Sequence, residues 1–409
     1  MKILFCTSGF ITGRGGIASY AHDFIEAFKA GNEFVVVTND GYVRKDSDPF
    51  EVIRFDMNDF SLNNAKRFMA FISDMNPQLI VNSAFPLLSL ITPYIDDEIR
   101  MINVAHFVDG KLLMIAGVNA NYADMSVVMS TYAENNLRRL YHVGGETRTE
   151  VIYNFMPPLC HIDFDIKKRQ RPIKIVFPGG NSIAKSTDII CMVLKKLLQT
   201  DLEFEFYWLG QTQLPGAKWP FVRTKNIYDC FDKKDKRLKI CGPVSREDSK
   251  RILSETNIFL LPSRGEGCPI TLIEAMRGAC IPIVSDARHG SLDIIQDGVC
   301  GLVVKQNSVK EIVNKICSII TSPSDYEYIY EASLKRYEEL LQYDVWVGNM
   351  RRIIYGERHH RKRRQVNIKK YIIDAMYLKL RYFLFWIQAR FCFQPYIMLI
   401  FRYIRYIYK

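Results

Sequence analysis

Two glutamates flank a short apolar run in the stretch RGEGCPITLIEAMRGACIPIVSD, residues 264–286. Glu266 stands in a glycine-rich loop, and Glu274 follows eight positions later. A carboxylate can accept hydrogen bonds from two hydroxyls, so it suits a sugar or a ribose diol. Glycines at 265 and 267 let the backbone approach a ligand closely, and the exposed amides at a helix start attract phosphate. The stretch therefore predicts a site for a phosphate joined to polyols.

The segments around this stretch indicate where it lies in a fold. NIFLLPS before it and CIPIVSD at its end are strand-like apolar runs. Pro269 suits the first turn of a helix and Gly278 suits its end, so the sequence predicts a short helix over 269–277. Ligands bind at the carboxyl ends of the strands in open α/β sheets. Two glutamates at this spacing arise easily by chance, and the prediction depends on the ordered strand, motif, helix and strand.

Strand-like and helix-like segments alternate along the chain. Seven apolar runs from KILFC to TEVIYN are separated by stretches of helical spacing such as IASYAHDFIEAFKA. The pattern restarts at IKIVFPGG, and QTQLPGAKWPFVRTKNIYDCFDKKDKR reads as a long loop. This predicts an α/β fold with two Rossmann-like parallel-sheet domains. We place a first domain at 1–160, a linker at 161–172, a second domain at 173–342, a closing helix at 343–357 and a tail at 358–409.

The formal charge of +11 is concentrated at the C-terminus. Residues 358–409 hold thirteen lysines and arginines against Asp374, so the preceding part of the chain is close to neutral. The ten cysteines form no C-x-x-C pair and no Cys/His cluster, which indicates neither a zinc site nor a disulfide framework. The start, MKILFCTSGF, reads as a strand rather than a signal peptide. We expect a cytoplasmic body whose tail meets an anionic partner.

Taken together, the motifs resemble a known family. The E-x7-E motif with G-C-P inside it, followed by EAMRGACIPIVSD and DGVCGLVV, is similar to the retaining GT-B glycosyltransferases of the GT4 type, glycosyl transferases group 1. GRGGIASYAHDF, EVIYNF and KICGPVSREDSKRIL occur in the expected order, so the resemblance covers residues 1–356 and is strongest over 238–304. It implies a GT-B fold, with two Rossmann-like domains facing a cleft, and transfer of a sugar from a nucleotide-sugar donor with retention of configuration.

The resemblance also implies roles for residues of the second domain. Glu266 would hold the donor sugar near the reacting centre, and Glu274 would hold the ribose of the nucleotide. Backbone amides around Thr271 and Leu272 would meet the diphosphate, with Gly267 beside them.

The loop FPGGNSIAKSTD supplies the expected cation but departs from the family pattern. Lys185 matches the family's phosphate lysine, which offsets the charge that builds up on a leaving nucleoside diphosphate. The family's preceding arginine is replaced by Gly180 and Asn181, and Asn181 remains a predicted donor contact. Loss of one cation weakens diphosphate binding by about a few kcal/mol unless another replaces it. Arg264 is the candidate replacement, and a solvated surface arginine is the alternative reading. The family's following glycine is Ser186 here.

The first domain is expected to contribute to the same donor. In TGRGGIASY, Gly16 would approach the donor phosphate, although a glycine pair by itself is also what any tight turn needs. His106, at the end of MINVAHF, would contact the donor sugar, with Asp109 as a weaker companion. Glu266, His106 and Lys185 are the predicted catalytic residues.

No acidic metal-ligand pair is evident in the sequence. A lysine together with helix amides can stabilise a leaving group without a cation. We therefore expect no metal and no cofactor, the nucleotide-sugar being a substrate. The resemblance leaves front-face and double displacement open.

The tail begins with RHHRKRRQ and continues as a strongly apolar, aromatic stretch. This suits two helices lying in a membrane interface, with cations at anionic headgroups. Spanning is disfavoured because Arg390 would cost about 2.5–3.5 kcal/mol at a helix centre. Packing onto the protein's own body or a partner is the alternative, and no nucleic-acid-binding module accompanies the charge. Polar side chains form two stripes at about 100° per residue, Lys370, Asp374, Arg381 and Gln388 before Pro395 and Arg402, Arg405 and Lys409 after it.

These inferences predict a glycosyltransferase that is peripheral at the inner face of a membrane and extends a lipid-linked glycan in cell-surface polysaccharide synthesis. A sugar-nucleotide epimerase of the same architecture and a non-catalytic nucleotide-sugar-binding scaffold are the alternatives. Loop shapes, rather than motifs, decide the donor base, the donor sugar and the acceptor.

Overall fold

A computed structural model describes residues 1–11, 16–108, 110–143, 148–159, 162–180, 184–210, 231, 235–287, 289–357 and 368–391. The chain divides into two compact units. The first comprises Met1–Val128, Ala133–Val151 and the described residues from Ile353 onward, and the second comprises Met129–Tyr132 and Ile152–Arg352.

The first unit is built on a parallel sheet. Its five central strands are buried on both faces, which is why they read as unbroken apolar runs rather than alternating ones. The sheet order is β3-β2-β1-β4-β5-β6-β7, and all neighbouring strands pair in parallel. The described strands are β1 (Lys2–Thr7), β2 (Glu33–Thr38), β3 (Phe50–Arg54), β4 (Leu79–Ser83), β5 (Arg100–Ala105), β6 (Met125–Val128) and β7 (Arg148–Val151).

Helices connect these strands and cover the sheet. Ser61 begins the second of them by accepting a hydrogen bond from the Asn64 amide, and Asn76 ends it in the left-handed conformation at φ 46°. The helices are α1 (Gly16–Phe28), α2 (Leu62–Met75), α3 (Pro86–Ile91), α4 (Gly110–Gly117) and α5 (Thr131–Tyr141).

The second unit repeats this plan with a parallel sheet of order β10-β9-β8-β11-β12-β13. Its core contains Phe177, Phe204, Phe206 and Trp208, all fully buried. The strands are β8 (Ile173–Phe177), β9 (Phe204–Leu209), β10 (Leu238–Gly242), β11 (Ile258–Leu261), β12 (Ile281–Ser285) and β13 (Leu302–Val304). The helices are α6 (Phe164–Arg169), α7 (Thr187–Leu197), α8 (Arg246–Glu255), α9 (Ile270–Arg277), α10 (Ser291–Ile294), α11 (Val309–Thr321), α12 (Tyr328–Leu340) and α13 (Tyr343–Tyr355).

The predicted fold class, two Rossmann-like parallel-sheet domains, is confirmed. The segment expected as a linker contains α6, whose Lys167 is buried and donates to the carbonyl oxygen of Thr256 at 2.7 Å. The second unit begins at Ile152, before the predicted boundary at 160, because Phe155 packs on Trp346 with ring centroids 4.4 Å apart. Helix α13 carries the chain from the second unit, through Arg352, back to the first.

The tail forms a helix, α14 (Ile368–Phe391), that counts with the first unit. Its Leu378 is fully buried, the Tyr371 hydroxyl donates to the carbonyl oxygen of Phe60 at 3.2 Å, and the Lys111 ammonium lies 4.0 Å from the centre of the Tyr382 ring. One face of α14 is therefore packed against the protein's own body, the arrangement held open as an alternative. No described helix combines the length and apolarity needed to cross a bilayer. The basic run from 358 to 364, the second tail helix beyond Pro395 and most of the predicted loop at 211–237 lie outside the described residues.

Candidate functional site

The stretch from β11 to β12 forms the centre of the candidate site. Helix α9 begins at Ile270, with Pro269 as its N-cap, and ends before Gly278, which confirms the predicted helix to within one residue. The apolar side chains of α9 are buried in the core of the second unit, while the preceding loop carries Glu266. This loop lies at the carboxyl end of a parallel strand, the edge at which α/β sheets bind ligands.

Glu266 and Lys185 meet at this edge. They are 81 positions apart in the chain, yet Lys185 Nζ lies 2.5 Å from Glu266 Oε1. Strands β8 and β11 are adjacent, so the loops that follow them are brought together. The Glu266 side chain is 9% exposed, so the ion pair is strengthened by the low local dielectric. The structure thus brings together two of the three predicted catalytic residues.

A second ion pair lies beside the first. Arg264 binds Asp188 in a bidentate manner, with nitrogen–oxygen distances of 2.7 and 2.8 Å, and the Arg264 amide donates to the carbonyl oxygen of Ala184 at 2.8 Å. Hydrogen bonding from the Arg264 guanidinium lowers the pKa of Asp188, so the carboxyl stays ionised. The candidate replacement cation is therefore neither remote from the site nor simply solvated, because it is held by a carboxylate.

The backbone of the Lys185 loop accounts for part of its departure from the family pattern. Gly180 has φ 52°, in a region that L side chains rarely adopt, which disfavours an arginine at this position. Ser186 occupies the family's glycine position and has φ 57°. This left-handed conformation is energetically unfavourable for serine but not for glycine. Its hydroxyl oxygen is buried and has no hydrogen-bond partner. Asn181 lies outside the described residues.

His289 is a buried residue of the site that sequence reasoning missed. The Ser291 amide donates to its Nδ1 at 3.2 Å, and its Nε2 lies 3.3 Å from the Ser285 hydroxyl, which itself donates to the carbonyl oxygen of Ser263 at 2.6 Å. Burial lowers the pKa of His289, and the nearby Glu266 carboxylate opposes this only in part. A neutral imidazole therefore ties the loop after β12 to the loop that carries Glu266. The available signal was a histidine four residues after the buried strand that ends at Ser285.

Glycines allow these two loops to approach each other. The Gly290 amide donates to the carbonyl oxygen of Glu266 at 3.3 Å. A Cβ at Gly290 would lie 1.7 Å from the Gly267 oxygen, so any side chain there would displace the loop. By contrast, a Cβ at Gly265 would meet nothing within 4 Å.

The start of α9 is organised by Pro269. The Leu272 amide donates to the Pro269 carbonyl oxygen at 3.0 Å, so of the two amides predicted to meet a diphosphate this one already has an acceptor. Thr271 precedes it in the first turn, where the helix itself provides no acceptor. Glu274 lies within α9 and is 8% exposed.

In the first unit, His106 follows β5. Its Nε2 lies 2.8 Å from the Ser83 hydroxyl, and its ring makes an edge-on contact with Tyr20 at 5.0 Å. Burial lowers its pKa to about 4, so the imidazole is neutral near pH 7 and can exchange hydrogen bonds but carries no charge. Gly16 begins α1, and Asp109 lies outside the described residues. His106 and Gly16 belong to the first unit, and the other described site residues belong to the second.

Asp40, after β2, is a further residue that the motifs did not reveal. Its carboxylate accepts hydrogen bonds from the amides of Phe10, Ile11 and Tyr42. Burial alone would raise its pKa, but these hydrogen bonds lower it. In dinucleotide-binding folds an acid near this position holds a ribose. Here the carboxylate instead fixes the loop that leads toward α1.

Among the described residues, no group of three or more histidine, cysteine or acidic side chains is placed to hold a metal ion. Lys185 and Arg264 are two cationic side chains that the described loops after β8 and β11 could offer a phosphate.

Comparisons with known proteins place this geometry in context. The family model for glycosyl transferases group 1 matches residues 223–336. The amylovoran biosynthesis glycosyltransferase AmsK of Erwinia amylovora is 26% identical over 158 residues, 36% of this chain and 37% of that protein. The N,N'-diacetylbacillosaminyl-diphospho-undecaprenol alpha-1,3-N-acetylgalactosaminyltransferase of Campylobacter jejuni is 29% identical over 100 residues, 24% of this chain and 26% of that protein. The chain spans little more than a third of the length of the first of these relatives.

Solved structures resemble the chain over most of its length. Sucrose-phosphate synthase from Thermosynechococcus elongatus superposes with a TM-score of 0.69 at 16% identity, covering 86% of this chain and 98% of that one. Anabaena HepE in complex with UDP-glucose gives a TM-score of 0.67 at 14% identity, covering 87% and 100%. The chain thus has the fold of the GT-B glycosyltransferases and, over part of its second unit, their sequence pattern.

Proposed function

We propose that this protein is a glycosyltransferase that moves a sugar from a nucleotide-sugar donor to a glycan acceptor. The observation that carries the proposal is the contact of 2.5 Å between Lys185 and Glu266 at the carboxyl edge of the second sheet. A cation for the leaving diphosphate and a carboxylate for sugar hydroxyls are thereby placed within one donor's length of each other. The similarity of residues 223–336 to glycosyl transferases group 1 supports the same activity.

In the proposed reaction, the bond between the anomeric carbon and the donor phosphate oxygen breaks, and the nucleoside diphosphate leaves with the electron pair. An acceptor hydroxyl oxygen forms the new bond to that carbon, and its proton passes to the departing diphosphate or to water. Lys185 and the amide of Thr271 stabilise the charge on the diphosphate. Glu266 leaves Lys185 and accepts hydrogen bonds from the donor sugar, while Glu274 holds the ribose and His106 contacts the sugar as a neutral imidazole.

Three finer parts of the proposal rest on resemblance. Configuration is retained, no metal is needed, and the acceptor is a lipid-linked glycan of a cell-surface polysaccharide. The names of two relatives, in amylovoran biosynthesis and on a diphospho-undecaprenol substrate, support the last part. Metal independence follows if the lysine and the amides suffice for the leaving group, and full turnover in excess EDTA is the expected result. Loss of activity in EDTA would contradict it.

We also propose that the tail holds the enzyme peripherally at the inner face of a membrane. The side of α14 away from the first unit exposes five apolar side chains that lie within about 100° of one another, at 100° per residue. They are Ile372, Ile373, Met376, Leu380 and Phe383, exposed by 47, 43, 59, 38 and 54%. Exposed Lys369 and Lys379 lie along the same side. An apolar stripe with lysines suits an anionic lipid surface.

The face of α14 differs from the sequence-based expectation. Asp374 and Arg381, in the expected polar stripe, are half-buried, because the neighbouring face of the helix packs on the first unit. The outward side is apolar with lysines at its margins. Docking would therefore use this apolar helix face rather than the polar stripe expected from the sequence.

The activity is tested by incubating the full chain with UDP-, GDP- and ADP-sugars, first without and then with lipid-linked glycan acceptors. Transfer that needs both donor and acceptor is the expected result, and Lys185→Ala should raise the donor KM at least tenfold, as loss of a charge-assisted contact would. Conversion of the nucleotide-sugar without an acceptor would instead show an epimerase, and binding without turnover a scaffold.

Lys174→Ala is the matched control for Lys185→Ala. Lys174 pairs with Glu255 at 2.8 Å in the same unit, but near the amino end of β8, the opposite edge of the sheet. Its loss should leave the donor KM unchanged.

A further inference from the structure

The two ion pairs at the candidate site form one compact group of charges. Lys185 and Asp188 flank the start of α7, and Arg264 and Glu266 follow β11. Each of the two segments supplies one cation and one carboxylate. Each cation binds the carboxylate of the other segment, at 2.5 Å for Lys185–Glu266 and at 2.7 and 2.8 Å for Arg264–Asp188. The four charges therefore sum to zero.

A nucleoside diphosphate adds about two to three negative charges to these four groups near pH 7, so its binding requires cations to change partners. Lys185 can do so because Glu266 has an alternative partner in the hydroxyls of the donor sugar. The family's additional arginine is missing, and the left-handed backbone at Gly180 disfavours a side chain there. Arg264 is the second cation on these two segments. Unlike Glu266, its partner Asp188 has no role in binding the donor sugar in the proposed function.

The chemistry and exposure of the Arg264–Asp188 pair suit a change of partner by Arg264. A guanidinium presents a planar fork that fits a carboxylate and a phosphate equally well. The Arg264 side chain is 25% exposed and that of Asp188 is 54% exposed, so the pair lies at the border between protein and solvent. Arg264 also lies close to Lys185, because its backbone amide donates to the Ala184 carbonyl oxygen at 2.8 Å.

We propose that Asp188 is the counter-ion that competes with the diphosphate for Arg264. In this scheme, which rests on the proposed function, a bound diphosphate takes the Arg264 fork from Asp188, and Asp188 takes it back when the product leaves. Asp188 thus limits the affinity of the product nucleotide and speeds its release. It acts through Arg264 and is a positioning residue.

The test is Asp188→Asn in the full chain, with UDP, GDP and ADP as probes in isothermal titration calorimetry. Asparagine keeps the size of the side chain and an acceptor oxygen but removes the charge. We expect the affinity for the nucleoside diphosphate that the wild type binds to rise about tenfold, the effect of one charge-assisted pair. Affinity for the matching nucleoside, which has no phosphate, should not change, and kcat should fall more than kcat/KM because release slows.

Two further variants make the result specific. Combining Arg264→Ala with Asp188→Asn should abolish the gain in diphosphate affinity, because no guanidinium then remains at this position to bind the diphosphate. Asp248→Asn is the matched control, since Asp248 also lies in the first turn of a helix of the second unit and pairs with an arginine, Arg251, at 3.5 Å. It should leave nucleotide affinity unchanged.

Unchanged or weaker diphosphate binding in Asp188→Asn would overturn the inference. A lower melting temperature in the same variant would show that the pair only stabilises the packing of the two segments. A gain that extends to the nucleoside would also overturn the inference. If the wild type binds none of the three nucleoside diphosphates and none of their sugar conjugates, the proposed function itself fails. The two failures are therefore distinguishable.

Discussion

Lys185 Nζ lies 2.5 Å from Glu266 Oε1, so the cation expected to meet a diphosphate is paired with the carboxylate expected to meet the donor sugar. Without a ligand, Lys185 and Glu266 are therefore bound to each other, and a donor must separate them to contact either one. Because both side chains are at least two-thirds buried, leaving either one without its partner is costly. A donor that provides phosphate for one and hydroxyls for the other would satisfy both at once.

This relationship predicts opposite effects of one substitution on binding and on turnover. Glu266→Gln keeps the shape of the side chain but releases Lys185 from its ion pair. We expect kcat to fall by about 10²–10³-fold, as when a preorganised polar group is lost from an active site, while affinity for the product nucleoside diphosphate stays equal or increases. Transfer assays and calorimetry measure the two quantities. A parallel loss of both would show general damage to the loop, and Glu255→Gln, which breaks the Lys174 pair, is the control.

Most of the fold could be predicted from the sequence because buried parallel strands consist of unbroken apolar runs. Such runs mark β1, β4, β8 and β11 directly, and turn residues such as Pro269 and Gly278 mark where α9 begins and ends. Glu266 and Lys185 were recognisable as well, because each lies in a local motif next to a strand end.

Pairings between distant segments could not be predicted in the same way. Arg264 and Asp188 are 76 positions apart, and an arginine in an ion pair looks the same in a sequence as a solvated one. His289 contacts Ser285 and Ser291 nearby in the chain, but Ser285 in turn bonds to Ser263 of another loop, so the role of His289 becomes visible only once the loops are packed. The orientation of α14 was hidden because apolar side chains surround most of the helix, and only the position of the first unit selects which face is covered.

Glycine positions in the site should differ sharply in tolerance. Gly290→Ala places a methyl group 1.7 Å from the Gly267 oxygen, so the Glu266 loop must shift. We expect a loss of roughly 1–3 kcal/mol in unfolding free energy, the usual range for overpacking, together with loss of donor binding. Urea unfolding and calorimetry measure these effects. Gly265→Ala is the control, as its Cβ meets no atom within 4 Å, and retained stability there with weaker donor binding would indicate a close backbone approach of the ligand.

Restoring the family glycine at position 186 should stabilise the protein. Ser186 holds φ 57° and buries a hydroxyl oxygen without a partner. Ser186→Gly removes both costs and should raise the unfolding free energy by about 1 kcal/mol. Urea unfolding measures the change. Asn307→Gly is the matched comparison, because Asn307 has φ 63° but asparagine tolerates this region, so a smaller gain is expected. An equal or lower stability of Ser186→Gly would show that the hydroxyl contributes to the fold.

Acid sensitivity should be traceable to His106. Its pKa is lowered from 6.5 to about 4 by burial, so the unfolded chain binds a proton that the folded chain does not bind between these values. The associated stability is complete above pH 6.5 and is lost as the pH falls toward 4, by up to about 1.4 kcal/mol per pH unit. His106→Gln should show a shallower decline of unfolding free energy over this window in urea titrations at pH 7, 6 and 5. Parallel declines for the two proteins would contradict the assignment, and an NMR titration of the imidazole provides a direct check.

The outward face of α14 should control membrane binding without affecting the fold. Met376→Glu and Ile372→Glu place a carboxylate on side chains that are 59% and 47% exposed, away from the buried face of α14. Each forfeits about 1.5–3 kcal/mol of apolar burial in lipid and adds repulsion, so sedimentation with phosphatidylglycerol vesicles should fall at least tenfold per substitution. Met192→Glu, at an exposed position of α7, is the control and should leave sedimentation unchanged. Full vesicle binding by the stripe variants would contradict the prediction and indicate that another segment or a second copy covers this face. Sedimentation velocity of the wild type and of a chain ending at 391 would distinguish these two cases.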